Sequence, residues 1–238
     1  MEYGLIGAKL GHSYSKIIHE AVCGYSYELH PLPTEKEAHA FMQAKAFKAI
    51  NVTIPYKKLV IPYCDEVEPR AAAIGAVNTV VNRDGKLYGY NTDYTGFAYL
   101  ARCHGVKFAG AVVLVLGTGG ASQAVQYALA EAGIPYAVVS RDPARGNFLY
   151  DDLRPEVVAG HRLIVNATPV GTFPHVDEAP LLPYEALTAA HYLFDLVYNP
   201  ERTQFLLRGE RQGARTLNGL PMLEAQAEAS WRIWNGVI

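Results

Sequence analysis

Residues 111 to 125 read AVVLVLGTGGASQAV, and this stretch restricts the fold more than any other. An unbroken apolar run of this kind suits a strand buried on both faces of a parallel sheet. Gly117, Gly119 and Gly120 follow at once and open a helix expected to run through Ala132. In a strand-turn-helix setting, glycines let the backbone approach a pyrophosphate held at a helix N-terminus. A tight packing turn is the alternative, because G-x-G alone is a weak signal. Ser122 stands where a third glycine is usual and is small enough for helix and strand to pack closely.

Further strands are expected at YAVVS (136–140), LIVNAT (163–168) and YLFDLVY (192–198), separated by helical or loop stretches. Such alternation marks an open α/β sheet. The end of YAVVS bears on cofactor choice. An NAD site usually places an acid there for the ribose 2′-hydroxyl. Here Ser140 and Arg141 occupy that position, with Arg145 one turn further on. Two guanidiniums suit a 2′-phosphate through charge-assisted hydrogen bonds, which points to NADP rather than NAD. Asp142 works the other way, by repelling a phosphate or by pairing with an arginine.

The first third also alternates. YGLIGA (from Tyr3) reads as a strand leading into KLGHSYSKIIHEAV, where Ser13 or Ser15 is placed to cap a helix carrying Ile17, Ile18 and Val22. YSYELHPL is a second strand. Thr34 and Glu37 have capping-box spacing and open a helix through Phe47. KAINVTI is a third strand, closed by Pro55. A helix near EPRAAAIGA precedes two β-rich runs joined at Asp84-Gly85, a hairpin signal. YTGFAYLARCHG is expected to be helical to Gly105, and GLPMLEAQAEASWRIWNG forms a final amphipathic helix. A boundary near residues 94–105 then gives two domains, 1–95 with 219–238 and 96–218.

Two domains of about 100–120 residues suit 238 residues. Net charge −2 without a basic block excludes a phosphate-backbone binder, so no nucleic-acid partner is expected. No run approaches a membrane span and no signal segment opens the chain, so a cytoplasmic protein without a membrane partner is expected. Cys23, Cys64 and Cys103 are odd in number and match no metal spacing, so free thiols and no metal are expected.

NVTIPYKK (51–58) gathers short polar groups, a fixed turn and two lysines where a core strand would stay apolar. Asn51, Thr53, Asn78, Asn91 and Asp93 lie at comparable strand ends, where open α/β sheets bind ligands. Oxidation at a carbinol carbon needs a proton acceptor beside the oxygen, and Lys57 or Asp93 can serve. Each has a plainer reading: Asp93 as the cap of a helix from Tyr94, Lys57 as a surface lysine, Asn78 as a turn residue.

Taken together, GLIGAKLGHSYSKIIHE, NVTIPYKK, IGAVNTV, GYNTDYTGF, VLGTGGASQAV, VNATPVGT, FDLVYNPERT and NGLPMLEAQA resemble the shikimate dehydrogenase family, in order and over nearly the whole chain. The resemblance implies an α/β chain with an N-terminal substrate domain, a Rossmann-type NADP domain and a C-terminal helix returning to the first. The implied activity is reversible oxidation of shikimate to 3-dehydroshikimate, by a monomer or homodimer. It implies that Ser13 and Ser15 hold the substrate carboxylate, that Asn51, Thr53, Asn78, Asp93 and Gln226 bind ring hydroxyls, and that Lys57 and Asp93 form the catalytic pair. Tyr198 falls near the substrate. Gly117, Gly119, Gly120, Ala121, Ser140, Arg141, Arg145 and Thr168 fall to the cofactor, with Gly219 and Met222 at its nicotinamide end. Burial lowers a lysine pKa and a neighbouring carboxylate raises it, so whether the pair moves the proton jointly or Lys57 only polarises the oxygen stays open.

Three features depart from the family pattern. Lys16 replaces a usual proline, Gln123 replaces a basic residue after the glycine turn, and the segment from Arg145 to His161 is short. Alternatives are a quinate/shikimate enzyme using NAD, a noncatalytic ligand-binding relative, and another Rossmann oxidoreductase.

Overall fold

A computed structural model describes residues 1–11, 13–103 and 112–237, with the side chains of 100–103 outside that description. The chain divides into two compact units, Met1–Tyr99 with Leu223–Ile238, and Leu100–Met222.

The first unit holds strands β1 (Tyr3–Gly7), β2 (Glu28–Pro31), β3 (Ala49–Val52), β4 (Glu66–Val67), β5 (Thr79–Arg83) and β6 (Lys86–Tyr90) in the order β2-β1-β3-β5-β6-β4. Strands β2, β1 and β3 are parallel, and the sheet turns antiparallel from β3 to β5 and β6. Asp84 and Gly85 both have positive φ, which makes the β5–β6 connection a tight hairpin turn. Helices α1 (Ser15–Cys23), α2 (Glu35–Ala44), α3 (Pro69–Ile74) and α4 (Thr92–Cys103) follow the strands. The core gathers Ile6, Met42, Ile50, Val52, Tyr56, Val80 and Leu87.

The second unit is wholly parallel. Strands β7 (Val113–Leu116), β8 (Tyr136–Ser140), β9 (Phe148–Leu149), β10 (Leu163–Asn166), β11 (Tyr192–Asp195) and β12 (Arg215–Leu217) run in the order β12-β11-β10-β7-β8-β9. That is the doubly wound dinucleotide arrangement, with the order reversing between β7 and β10. Helices α5 (Gly120–Glu131), α6 (Pro155–Gly160) and α7 (Gln204–Arg211) connect the strands, and α8 (Leu220–Trp234) closes the chain. All four residues of β7 are buried, as expected for a strand covered on both faces.

Several expectations need correction. Neither Ser13 nor Ser15 is the N-cap of α1; Tyr14 holds that position without a side-chain bond. Ile17 and Val22 face solvent, while Ser15 and His19 are the buried residues of α1. The capping box of α2 forms as expected, but the helix stops at Ala44, where Lys45 turns left-handed. β3 ends at Val52, two residues before the expected end, and the chain then turns. α4 begins at Thr92, and the side-chain Oδ1 of Asn91, not Asp93, accepts from the Tyr94 N–H. Its expected end at Gly105 lies outside the described residues. Arg145 lies in a 3-10 turn, and only residues 141–147 join the parallel pair β8 and β9, where a helix would ordinarily cross over. Cys23 and Cys64 are free thiols, and Cys103 lies outside the described side chains. Among the described residues, no helix is long and apolar enough to cross a membrane.

Candidate active site

In the first unit, the chain leaves β3 at Thr53, whose N–H donates to the Ile6 carbonyl, and turns so that Tyr56 N–H reaches back to the Thr53 carbonyl. Tyr56 is buried, and its hydroxyl donates to the Leu32 carbonyl. The turn is thereby pinned on both sides of Lys57, whose own carbonyl accepts from Val77 N–H. From this platform Lys57 Nζ meets Asp93 Oδ2 at 2.6 Å. The two side chains keep 14% and 4% of their exposure, so the ion pair is largely withdrawn from water yet open at the lysine end. Asp93 occupies the first turn of α4, where a carboxylate also suits the helix dipole.

Asn78 sits next to this pair in a web of short polar groups. Its N–H and C=O are tied to β6 and β3 through the Tyr90 carbonyl and the Val52 N–H. Its Oδ1 accepts from Thr92 N–H at 2.7 Å, and its Nδ2 donates to Thr92 Oγ1 at 3.1 Å. Asn78 therefore anchors the start of α4, and one of its amide hydrogens has no partner among the described residues. Asn51 is differently engaged. Its Oδ1 accepts from Tyr27 Oη at 2.8 Å, and its Nδ2 donates to Thr79 Oγ1 at 2.9 Å and Ser230 Oγ at 2.8 Å. Both amide hydrogens are committed inside the protein, so Asn51 offers a substrate hydroxyl no donor. Asn91 is likewise structural, since its Nδ2 donates to the Ala76 carbonyl.

Ser13 Oγ donates to Ser15 Oγ at 3.0 Å and accepts from Ser15 N–H, which sets the two hydroxyls side by side at the start of α1. Lys16 points outward and pairs with Glu20, which leaves it a surface charge. Thr53 and Gln226 are half-buried, on the turn after β3 and on α8. His19 lies one turn along α1 from Ser15, stacked on Tyr27 at 4.2 Å and on Trp234 at 5.4 Å. Burial pulls its imidazole down to about 4.

In the second unit, Gly117 has φ +100° and a Cβ there would come within 2.8 Å of the Thr168 methyl. Gly119 is the N-cap of α5 with no side-chain bond, and a Cβ on it would meet nothing within 4 Å. An uncapped helix N-terminus with open space before it fits a pyrophosphate. Ala121 lies in this first turn, and Ser122 Oγ donates to the Gly117 carbonyl at 2.6 Å, so the missing third glycine is replaced by a hydrogen bond that fastens helix to turn. The Gln123 Oε1 is buried without a hydrogen-bond partner among the described residues.

Ser140 is buried and its Oγ accepts from Asp142 N–H. The Asp142 carboxylate accepts from Ala144 N–H, so it caps the 3-10 turn. Arg141 is exposed, whereas Arg145 donates to the Thr118 carbonyl within the glycine turn at 2.8 Å. Across the point where strand order reverses, Thr168 Oγ1 donates to Asn166 Oδ1 at 2.6 Å. Asn166 in turn donates to Asp195 at 2.9 Å, and Asp195 also accepts from Thr203 Oγ1 and Val197 N–H. Burial pushes the Asp195 carboxyl up to about 7 against these bonds. Tyr198 is half-buried just beyond, and Gly219 N–H donates to the Val197 carbonyl. A Cβ on Gly219 would collide with the Leu196 carbonyl, so the backbones there approach as closely as glycine allows. Met222 is buried in the first turn of α8.

Sequence reasoning missed Tyr27, Thr79, Thr92 and Ser230 in the first unit, and Asn166, Asp195 and Thr203 in the second. Asn166 and Asp195 stand inside VNATPVGT and FDLVYNPERT, so they were in view as motif members without a role. For Ser230 the one available signal was its i+4 spacing from Gln226 on a helix.

The family model described as the shikimate dehydrogenase substrate binding domain matches residues 5–80. A shikimate dehydrogenase (NADP(+)) of Carboxydothermus hydrogenoformans is 38% identical over 255 aligned positions, covering 98% of this chain and 91% of the relative. The crystal structure of a Thermus thermophilus shikimate 5-dehydrogenase in complex with NADP(H) and shikimate superposes with a TM-score of 0.86 at 35% identity, covering 99% of this chain and 94% of that one. A Corynebacterium glutamicum quinate dehydrogenase in complex with NAD superposes at 0.82 with 30% identity, covering 99% and 94%.

Proposed function

The chain belongs to the shikimate dehydrogenase family, and from this premise we propose that it oxidises shikimate reversibly to 3-dehydroshikimate with NADP. The observation that carries the proposal is the Lys57–Asp93 pair at 2.6 Å, largely withdrawn from water beside the polar web around Asn78.

Residues 1–95 with 219–238 hold the substrate. The Ser13 and Ser15 hydroxyls take its carboxylate, a group best bound by converging O–H donors. Thr53, the remaining amide hydrogen of Asn78, Asp93 and Gln226 take the ring hydroxyls, and Tyr198 is assigned to the substrate as well. Residues 96–218 hold the cofactor. Its pyrophosphate lies at the uncapped start of α5 over Gly117, Gly119, Gly120 and Ala121. Ser140, Arg141 and Arg145 read the adenosine end, and Thr168, Gly219 and Met222 face the nicotinamide. NADP, when bound, accepts the hydride.

The chain's own groups handle the proton. As the carbinol carbon loses hydride, its hydroxyl must lose H⁺, and the ion pair takes it as a unit: Lys57, at the open end, accepts the proton as one of its own passes to the Asp93 carboxylate. Asp93 orients the amine and balances its charge. In the reverse direction the same pair returns the proton to the carbonyl oxygen. General acid–base groups of this kind contribute ~10²–10⁴-fold. We place the enzyme in the cytoplasm, as a monomer or homodimer.

A steady-state assay crossing shikimate and quinate with NADP and NAD tests the assignment. The highest kcat/KM is expected for shikimate with NADP. No turnover of shikimate with either cofactor would overturn it, and preference for quinate with NAD would move the chain to the other activity of this fold.

A further inference from the structure

We infer that Tyr27 and Ser230 are positioning residues for substrate recognition, acting through Asn51 and Thr79 on the amide of Asn78; this rests on the proposed role of Asn78 as a substrate ligand.

The polarity of the network is fixed by groups that can act in only one way. The Asn78 carbonyl can only accept, and Asn51 Nδ2 faces it at 3.4 Å, so the Asn51 nitrogen points toward Thr79 and Ser230 and its oxygen toward Tyr27. Tyr27 must therefore donate to Asn51 Oδ1. At the far end, Thr92 N–H can only donate, which fixes Asn78 Oδ1 as the accepting end. Thr79 Oγ1 accepts from Asn51 and gives its single proton to Asn78 Oδ1 at 3.2 Å. Ser230 Oγ accepts from Asn51, so its own proton is left for Thr79 Oγ1 at 3.3 Å.

A directed run results, from Tyr27 to Asn51 to Thr79 to Asn78. Tyr27, Thr79 and Ser230 are fully buried and Asn78 nearly so. Donors aligned in one sense polarise one another, and the low local dielectric strengthens each bond. The run holds the Asn78 carboxamide so that its spare N–H is the donor presented to a ligand. Ser230 adds a second constraint. It lies one turn from Gln226 on α8, so its bonds to Asn51 and Thr79 fix which face of the helix, and hence which way Gln226, is turned.

Tyr27→Phe removes one hydroxyl and keeps the ring stacked on His19. It is expected to raise the KM for shikimate roughly 2–10-fold, the scale of one hydrogen bond, with the KM for NADP unmoved. Ser230→Ala should act likewise, and Ser230→Thr should recover most of the loss. Because Tyr27 acts only through Asn78, Tyr27→Phe should not add to the KM of an Asn78→Ala variant. A plain core role predicts the opposite pattern, a lowered melting temperature with shikimate KM unchanged, and that result in Tyr27→Phe overturns the inference even if Ser230→Ala does not fold. An additive effect of Tyr27→Phe in the Asn78→Ala background overturns it too. A wild-type chain that does not turn over shikimate is a separate outcome, which removes the functional proposal and with it this inference.

Discussion

The two units hold their polar chemistry by different means. In Met1–Tyr99 with Leu223–Ile238, side chains do the holding: Lys57 to Asp93, Asn78 to Thr92, Asn51 to Tyr27, Thr79 and Ser230. In Leu100–Met222 the proposed site is offered by the backbone, through an uncapped helix start and close approaches at Gly117 and Gly219 that leave no room for a Cβ. A ligand with many hydroxyls needs many separately aimed donors and acceptors. A phosphate needs aligned N–H groups, which any sequence supplies if glycine permits the approach. Single polar substitutions should therefore be costly in the first unit, and the second should be sensitive mainly at glycines and cations.

The sharpest test of that contrast is Lys57→Ala. It should lower kcat ~10²–10⁴-fold with little change in either KM. Unchanged kcat in steady-state assays would reduce Lys57 to a binding or surface residue.

The units also carry buried titratable groups of opposite sign. His19 has its pKa depressed from 6.5 to about 4 by burial. Its contribution is full above pH 6.5 and is lost as pH falls toward 4, because the unfolded chain then binds the extra proton. Asp195 has its pKa raised from 3.8 to about 7. Its contribution is full below pH 4 and is lost as pH rises through 7. Each limb is worth on the order of 3–4 kcal/mol at most. Both tryptophans, Trp231 and Trp234, lie in the first unit, so their fluorescence follows it alone, while circular dichroism follows both. Fluorescence melts should weaken toward acid in wild type and lose that slope in His19→Phe. Asp195→Asn should flatten the decline between pH 4 and 7 seen by circular dichroism. Parallel slopes in the two probes would erase the contrast.

The proposed cofactor choice rests on cations in the second unit. Replacing Arg141 and Arg145 together with Ala should weaken NADP roughly 10²-fold and NAD far less, since only NADP carries a 2′-phosphate. Equal losses, read by fluorescence titration of each dinucleotide, would show that the arginines only brace the glycine turn, as the Arg145 bond to the Thr118 carbonyl would then suggest.

Ser15→Ala is the smallest of these effects. It should raise the KM for shikimate roughly 10-fold, the low end for a hydrogen bond to a charged group, without shifting Tm. Because Tyr14 is the N-cap of α1 and its side chain makes no capping bond, no capping loss is expected. Tyr14→Phe serves as the internal control. A lowered Tm with unaltered KM would place the carboxylate elsewhere.

What could be read from sequence was local and dense. The apolar run of β7 with its glycines, the Thr34–Glu37 box and the Asp84-Gly85 turn each state their structure within a few residues. Two-residue strands such as β4 and β9 carry no periodicity and were invisible. α1 misled because its buried face is Ser15 and His19, with the imidazole accepted into an aromatic stack, while Ile17 at 70% exposure faces out. In the site, Lys57 and Asp93 were matched by family resemblance, since a separation of 36 positions gives no hint of contact. The commitment of Asn51 was beyond reach, because one of its partners, Ser230, lies 179 positions away.

That last separation has a consequence for biogenesis. Leu100–Met222 is one continuous segment, so it can complete its core as soon as it leaves the ribosome. The other unit is split: Trp234 must stack on Tyr3, His19 and Tyr27, and Ser230 must reach Asn51 and Thr79, before its polar interior closes. Synthesis from the N-terminus thus supplies all of Leu100–Met222 before Ser230 and Trp234, and the unit bearing Lys57 and Asp93 closes only after those two residues have emerged.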